Sequence, residues 1–145
     1  MQLTKNFTLE ELTASDTASA QHIDNTPATP YVENLRVLCE QVLQPARDAF
    51  GKPIRVSSGY RCPELNTAVG GVPNSYHRVG LAADLQVIAH GKAFEPELKR
   101  LFKIIKEQNN FDKLLYERST TAVWIHVQYR RDGKNAHRAI DNYKA

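Results

Sequence analysis

The chain has 145 residues, of which 41% are hydrophobic and 24% are charged, a composition typical of globular proteins. This excludes a disordered chain, a collagen-like repeat and a coiled coil, and it predicts one domain over residues 1–145. The net charge of +3 is too small to indicate a nucleic-acid partner. No apolar run approaches the ~20 residues that span a bilayer, so we expect no membrane insertion.

The N-terminal region carries the signals of a short helix followed by an irregular segment. Thr8 is a candidate N-cap, and Glu11 three residues later completes a capping box, which predicts a helix over about residues 9 to 14. The polar residues that follow, through about residue 28, contain Asn, Thr and Pro. We expect them to form an ordered arm that lies on the domain.

A second helix is predicted from Thr29, as the N-cap, to about Phe50. Pro30 suits the first helical position, and apolar residues then recur at helical spacing until Gly51. Pro45 lies inside this pattern. Because proline has no amide hydrogen and collides with the carbonyl four residues back, we expect the helix to be kinked or divided there.

The rest of the chain alternates between strand and helix patterns. The predicted strands and helices are residues 54–58 (strand), 63–68 (helix), 82–88 (strand), 95–108 (helix), and 112–117 and 123–129 (two strands of a hairpin). They predict an α+β domain with a small, mostly antiparallel sheet flanked by helices.

Features outside these elements indicate little chemistry. Cys39 and Cys62 do not form a C-x-x-C motif, so we expect free thiols. The N-terminus lacks the apolar core of a signal peptide, which predicts synthesis in the cytoplasm. We interpret the C-terminal basic cluster as a solvated tail: Arg130, Arg131, Lys134 and Arg138.

Three residues have the chemistry of a metal site. His77 and Asp84 are separated by Gly80 and small residues, which indicates a loop that leads into a strand. His126 lies on a predicted strand and shares a face with Trp124 and Gln128. Two imidazoles and one carboxylate suit zinc, and three protein ligands with a fourth position open are typical of catalytic rather than structural zinc sites.

These residues lie in motifs that resemble a known family. The pattern S-x-H-x-x-G-x-A-x-D, which runs from Ser75 to Asp84, resembles the first signature of the zinc D,D-carboxypeptidase-like peptidases of the M15 group. S-S-G-Y-R at 57–61 and W-I-H-V at 124–127 resemble two further motifs of that group. The opening N-F-T-L-E-E-L is similar to the phage and prophage branch, and the resemblance covers roughly residues 4 to 130.

The resemblance implies a fold like that of the D,D-peptidases and the Hedgehog signalling domain. It also implies one zinc ion per chain, held by His77, Asp84 and His126. Arg61 is implied to bind a carboxylate or carbonyl of a peptide substrate, a role that suits a planar guanidinium, and we assign Ser75 to substrate binding with it.

The general base is where this chain departs from the family pattern. Many members place an acid three residues before the last histidine, but here that residue is Val123. Phage-branch sequences carry a Glu at the end of the preceding strand, so we select Glu117, with Asp112 and Glu64 as weaker candidates. We expect Glu117 to lie about four residues from His126, on the order of 13 Å, so that a bulge or a different strand pairing would be needed to bring them together.

The resemblance implies a zinc-dependent peptidase that hydrolyses peptidoglycan stem peptides, either as a D,D-carboxypeptidase or as an endolysin-type endopeptidase. We expect a monomer that is released to the cell wall during phage or prophage lysis. The alternative is a non-catalytic, zinc-containing domain of phage or prophage origin that binds the cell wall or peptides, and the missing acid at Val123 favours it.

Overall fold

A computed structural model describes residues 1–145 and confirms the α+β fold. A five-stranded mixed sheet in the order β3-β4-β6-β5-β7 forms the centre, and a two-stranded antiparallel sheet, β1-β2, lies at the N-terminus. The strands are β1 (Gln2–Thr4), β2 (Phe7–Thr8), β3 (Ile54–Ser58), β4 (Ala82–Val87), β5 (Lys113–Arg118), β6 (Val123–Gln128) and β7 (Arg138–Lys144).

Six α-helices flank the sheet. None combines the length and the apolar character of a membrane span; the longest, α6, has 15 residues. The helices are α1 (Leu9–Thr13), α2 (Asp16–Ala20), α3 (Thr29–Leu38), α4 (Gln44–Phe50), α5 (Pro63–Ala68) and α6 (Phe94–Gln108).

The N-terminal arm is ordered, as predicted, but it contains a helix that the sequence reading missed. The capping box of Thr8 and Glu11 forms at the start of α1. Within the arm, Ser15 caps the short helix α2. The buried Asn25 side chain then bonds three backbone groups of the domain, at Thr13, Tyr60 and Cys62. Because these bonds satisfy buried polar groups, they hold the arm against the domain.

The long helix is divided before Pro45, as predicted. A π-helical segment, Cys39–Leu43, separates α3 from α4, and the amide of Gln44 donates to the carbonyl of Cys39 five residues back. This wider turn is a known way to accommodate an interruption of the regular hydrogen-bond pattern. The predicted N-cap was wrong by one residue, because Ala28 rather than Thr29 is the cap.

The two faces of the central sheet have different roles. Every second residue of β4, β5 and β6 points into one hydrophobic core, which α3, α4 and α6 cover. The residues between them face the opposite side of the sheet, where Asp84 and His126 lie. The core-facing residues are Ala83, Leu85, Val87, Leu114, Tyr116, Ile125 and Val127.

The C-terminal basic residues Arg131, Lys134 and Arg138 are exposed, as predicted, but the end of the chain is an ordered strand rather than a tail. Residues 138–144 form β7, an edge strand that pairs parallel to β5. Ile140 is its only aliphatic residue larger than alanine, and it is half-buried. The alternating pattern that predicts a strand is therefore absent, and backbone hydrogen bonding rather than side-chain burial holds β7 in place. The two cysteines, Cys39 and Cys62, are both free, as predicted.

Candidate active site

Strand pairing brings two of the predicted ligands together. Asp84 on β4 lies directly opposite His126 on β6, and His126 lies opposite Leu115 on β5. Directly opposed side chains in an antiparallel pair have their Cβ atoms ~5 Å apart. The β4–β6 register is regular throughout, so the position of one residue determines that of the other.

The third ligand, His77, comes from a 3-10 turn over Tyr76–Val79 that precedes β4. The Ser75 hydroxyl accepts a hydrogen bond from the His77 amide at 3.2 Å and so caps this turn. Gly80 ends the turn with φ of 78°, and an added Cβ there would lie 2.8 Å from the Tyr31 carbonyl oxygen. Only glycine combines this backbone conformation with this close approach.

The three side chains form one compact cluster. His77 Nε2 lies 3.3 Å from Asp84 Oδ1, and His126 Nδ1 lies 3.1 Å from the same oxygen. All candidate ligand atoms lie within 4.8 Å of one another. The predicted trio is therefore brought together, whereas the other histidines, His22, His90 and His137, lie outside it.

The donor set fits a metal ion such as zinc. Ligand atoms around a tetrahedral zinc lie ~3.3 Å apart when the bonds are ~2.0–2.1 Å long. The two distances to Asp84 Oδ1 have that size. The outer nitrogen of His77, Nδ1, lies 2.7 Å from the Gly59 carbonyl oxygen. The carbonyl oxygen can only accept a hydrogen bond, so Nδ1 must carry the proton that it donates. Nε2 of His77 is then left free to act as a ligand.

The electrostatics of the cluster favour a charged carboxylate. Burial alone would raise the pKa of Asp84, but the charge of His77 and hydrogen bonds from both histidines outweigh it and hold that pKa well below its usual range. For His126, burial opposes protonation, whereas the hydrogen bond and charge of Asp84 raise the pKa. Asp84 is therefore held in its charged form, which is the form that can bind a cation.

Arg61 is held against the cluster. It donates through Nη2 to Asp84 Oδ2 at 3.3 Å, through Nε to Ser58 Oγ at 3.0 Å, and through Nη1 to Asn66 Oδ1 at 3.4 Å. Burial lowers its pKa, although Asp84 and Glu117 act in the opposite direction. A guanidinium has five N–H groups, so these three bonds leave two free.

The predicted separation of Glu117 from His126 was wrong. The β5–β6 register is regular and places Glu117 opposite Trp124, only two positions from His126 on the same face. Such diagonal pairs lie ~7–8 Å apart, so no bulge is needed to bring the two side chains near each other. Burial and the charge of Asp84 raise the pKa of Glu117, while His126 and Arg61 oppose this shift.

The other candidate bases are placed less favourably. Asp112 is 8% exposed and is bonded to Gln128 behind His126. Glu64 is an exposed residue of α5 and does not line the cleft. Of the three acids considered, only Glu117 faces the same cleft as the cluster.

A cleft of about 490 Å³ opens over the cluster. Its walls come from the loop around residues 70–76 and from β5, β6 and β7. The half-buried Trp124 and the exposed Val72 and Tyr143 give it an apolar rim. Tyr143 lies opposite Glu117 in the β5–β7 pair, so the strand that the sequence reading missed forms part of the cleft.

Sequence reasoning also missed the hydrogen-bond partners of the predicted site residues. Gln128 Oε1 accepts from His126 Nε2 at 2.8 Å, and Ser58 and Asn66 hold Arg61. A signal existed for Gln128, because residues two apart on a strand share a face. No comparable signal indicated Ser58 or Asn66.

Comparison with protein-family models matches Peptidase M15 over residues 5–128. The match covers most of the chain, and the protein belongs to this family of peptidases. A search of curated proteins found no match. The family assignment agrees with the cluster of His77, Asp84 and His126, which could bind a metal.

Replacing either histidine of the cluster should abolish metal binding. His77→Ala and His126→Ala each leave one imidazole and one carboxylate, too few ligands for a stable zinc site. Metal analysis after removal of metal with chelator and reloading with zinc should give about one equivalent for the wild type and much less for each variant. His137→Ala, outside the cluster, is the matched control. Full zinc content in both cluster variants would refute the site.

Proposed function

We propose that this protein is a zinc-dependent peptidase that hydrolyses peptidoglycan stem peptides. The observation that carries the proposal is the cluster of His77, Asp84 and His126 at the base of an open cleft, with Glu117 on the same wall. Membership of the peptidase M15 family supports the reaction class. The setting that we propose is lysis by a phage or prophage, which rests on the resemblance of the opening N-F-T-L-E-E-L to that branch.

The metal ligands and Glu117 have separate roles in the proposed hydrolysis. His77, Asp84 and His126 would hold zinc, which when bound polarises the scissile carbonyl and activates water for attack. Glu117 would take a proton from the attacking water and pass it to the leaving amine. Glu117 lies opposite Trp124, which is two positions along β6 from His126. This separation is compatible with contact between Glu117 and the cluster through one water molecule.

The remaining groups suit a peptide substrate. The two unused N–H groups of Arg61 can bind a substrate carbonyl or carboxylate while the guanidinium keeps its bond to Asp84. Val72, Trp124 and Tyr143 supply apolar contact area along the rim. Ser75 lines the cleft next to His77, and its hydroxyl already accepts from the His77 amide, so we propose that it contacts substrate as a second function.

Hydrolysis of purified peptidoglycan tests the proposed function directly. The protein should release new amino groups from the wall peptides, lose this activity in chelator, and recover it when zinc is restored. Binding to the wall without cleavage, with zinc present, would favour the non-catalytic domain that Val123 suggests.

Glu117→Gln tests the assignment of the general base. The amide keeps the shape of the side chain but cannot accept the proton, so kcat should fall by ~10²-fold or more. Zinc content and thermal stability should stay at wild-type values. Glu64→Gln, an exposed acid outside the cleft, is the matched control and should leave kcat unchanged. A Glu117→Gln enzyme with the wild-type rate would place the base elsewhere.

Arg61→Lys tests substrate anchoring. Lysine keeps a positive charge near Asp84 but cannot form the planar fork, so kcat/KM should fall by at least ~10-fold. Zinc content should be unchanged, and the loss should be measured with a defined stem peptide. Unchanged kinetics would assign Arg61 to the support of Asp84 alone.

A further inference from the structure

Behind His126, on the side away from Asp84, a chain of hydrogen bonds runs into the fold. His126 Nε2 lies 2.8 Å from Gln128 Oε1, and Gln128 Nε2 donates to Asp112 Oδ2 at 3.0 Å. Asp112 Oδ1 accepts from the backbone amide of Ala136 at 2.9 Å. Gln128 and Asp112 are each 8% exposed, and the bond between them is buried.

The chemistry of these groups determines the direction of every bond in the chain. A carboxylate offers only acceptors to a side-chain amide, so the NH₂ group of Gln128 must face Asp112. The amide oxygen of Gln128 must then face His126, and only a protonated Nε2 satisfies it. A neutral His126 ring with its proton on Nε2 carries its lone pair on Nδ1, the nitrogen that faces Asp84. A bound metal ion would take the place of the proton that Nδ1 donates to Asp84 in the charged ring, and Nδ1 would be its ligand.

The burial of Asp112 needs an explanation of its own. Its side-chain partners are the neutral amides of Gln128 and Ala136, although burying a carboxylate without a cation beside it is unfavourable. An apolar pair in place of Asp112 and Gln128 would avoid that penalty, but it would leave the His126 ring without a fixed tautomer. The burial of Asp112 and Gln128 is thus explained by their effect on the tautomer of His126.

We propose that Gln128 and Asp112 are positioning residues that set the tautomer and ring orientation of His126 for metal binding. This inference rests on the proposed zinc site. It also gives a role to the segment beyond residue 128, outside the family match, because the amides of Ala136 and Arg138 bond to the Asp112 carboxylate and carbonyl respectively.

Zinc affinity of the full chain, measured by competition with a chromophoric chelator, tests the inference. Gln128→Met keeps the side-chain volume but removes the acceptor, so zinc should bind ~10-fold to ~100-fold more weakly. Gln86→Met is the matched control: Gln86 lies on β4 of the same sheet and bonds only Arg55, so its loss should leave zinc affinity unchanged. Zinc binding by Gln128→Met at wild-type strength would overturn the inference.

A charge swap provides the second variant. In Asp112→Asn with Gln128→Glu, the new amide can donate to the new carboxylate, and the carboxylate can still accept from His126. Zinc affinity should be at or above that of the wild type, whereas a loss of ~10-fold or more would overturn the inference even if Gln128→Met fails to fold.

The outcomes also separate this inference from the proposed function. Failure of the wild type to bind zinc would overturn both. Zinc binding by the wild type, with no effect of Gln128→Met, would overturn the inference alone.

Discussion

The site depends on one buried carboxylate. Asp84 Oδ1 contacts His77 and His126, and Oδ2 accepts from Arg61, while the side chain is only 12% exposed. A charge removed from water in this way is tolerated only when several partners satisfy it. Those partners come from a turn, from the neighbouring strand and from the loop after β3, so the surrounding fold must be assembled for Asp84 to be stable.

The two histidines face Asp84 with different nitrogens, and the surrounding fold explains why. His77 uses Nε2 because its Nδ1 is bonded to the Gly59 carbonyl, whereas His126 uses Nδ1 because its Nε2 is bonded to Gln128. Each ring is thus held by its outer nitrogen.

The residues of the cluster could be predicted because they depend on local patterns: a ligand-bearing motif and the two-residue period of β6. What could not be predicted depends on pairing between strands. The distance from Glu117 to His126 is set by the β5–β6 register, which separates them by two positions along the strand rather than the four that we expected. The strand β7 was missed because its side chains do not alternate, although its Tyr143 forms part of the cleft.

Anomalous diffraction at the zinc absorption edge, from crystals of the zinc-loaded protein, tests the central claim most directly. We predict one zinc peak per chain, within bonding distance of Nε2 of His77, a carboxylate oxygen of Asp84 and Nδ1 of His126, at the base of the cleft that contains Glu117. A peak at other residues, or no peak in crystals shown to contain an intact fold, would contradict it.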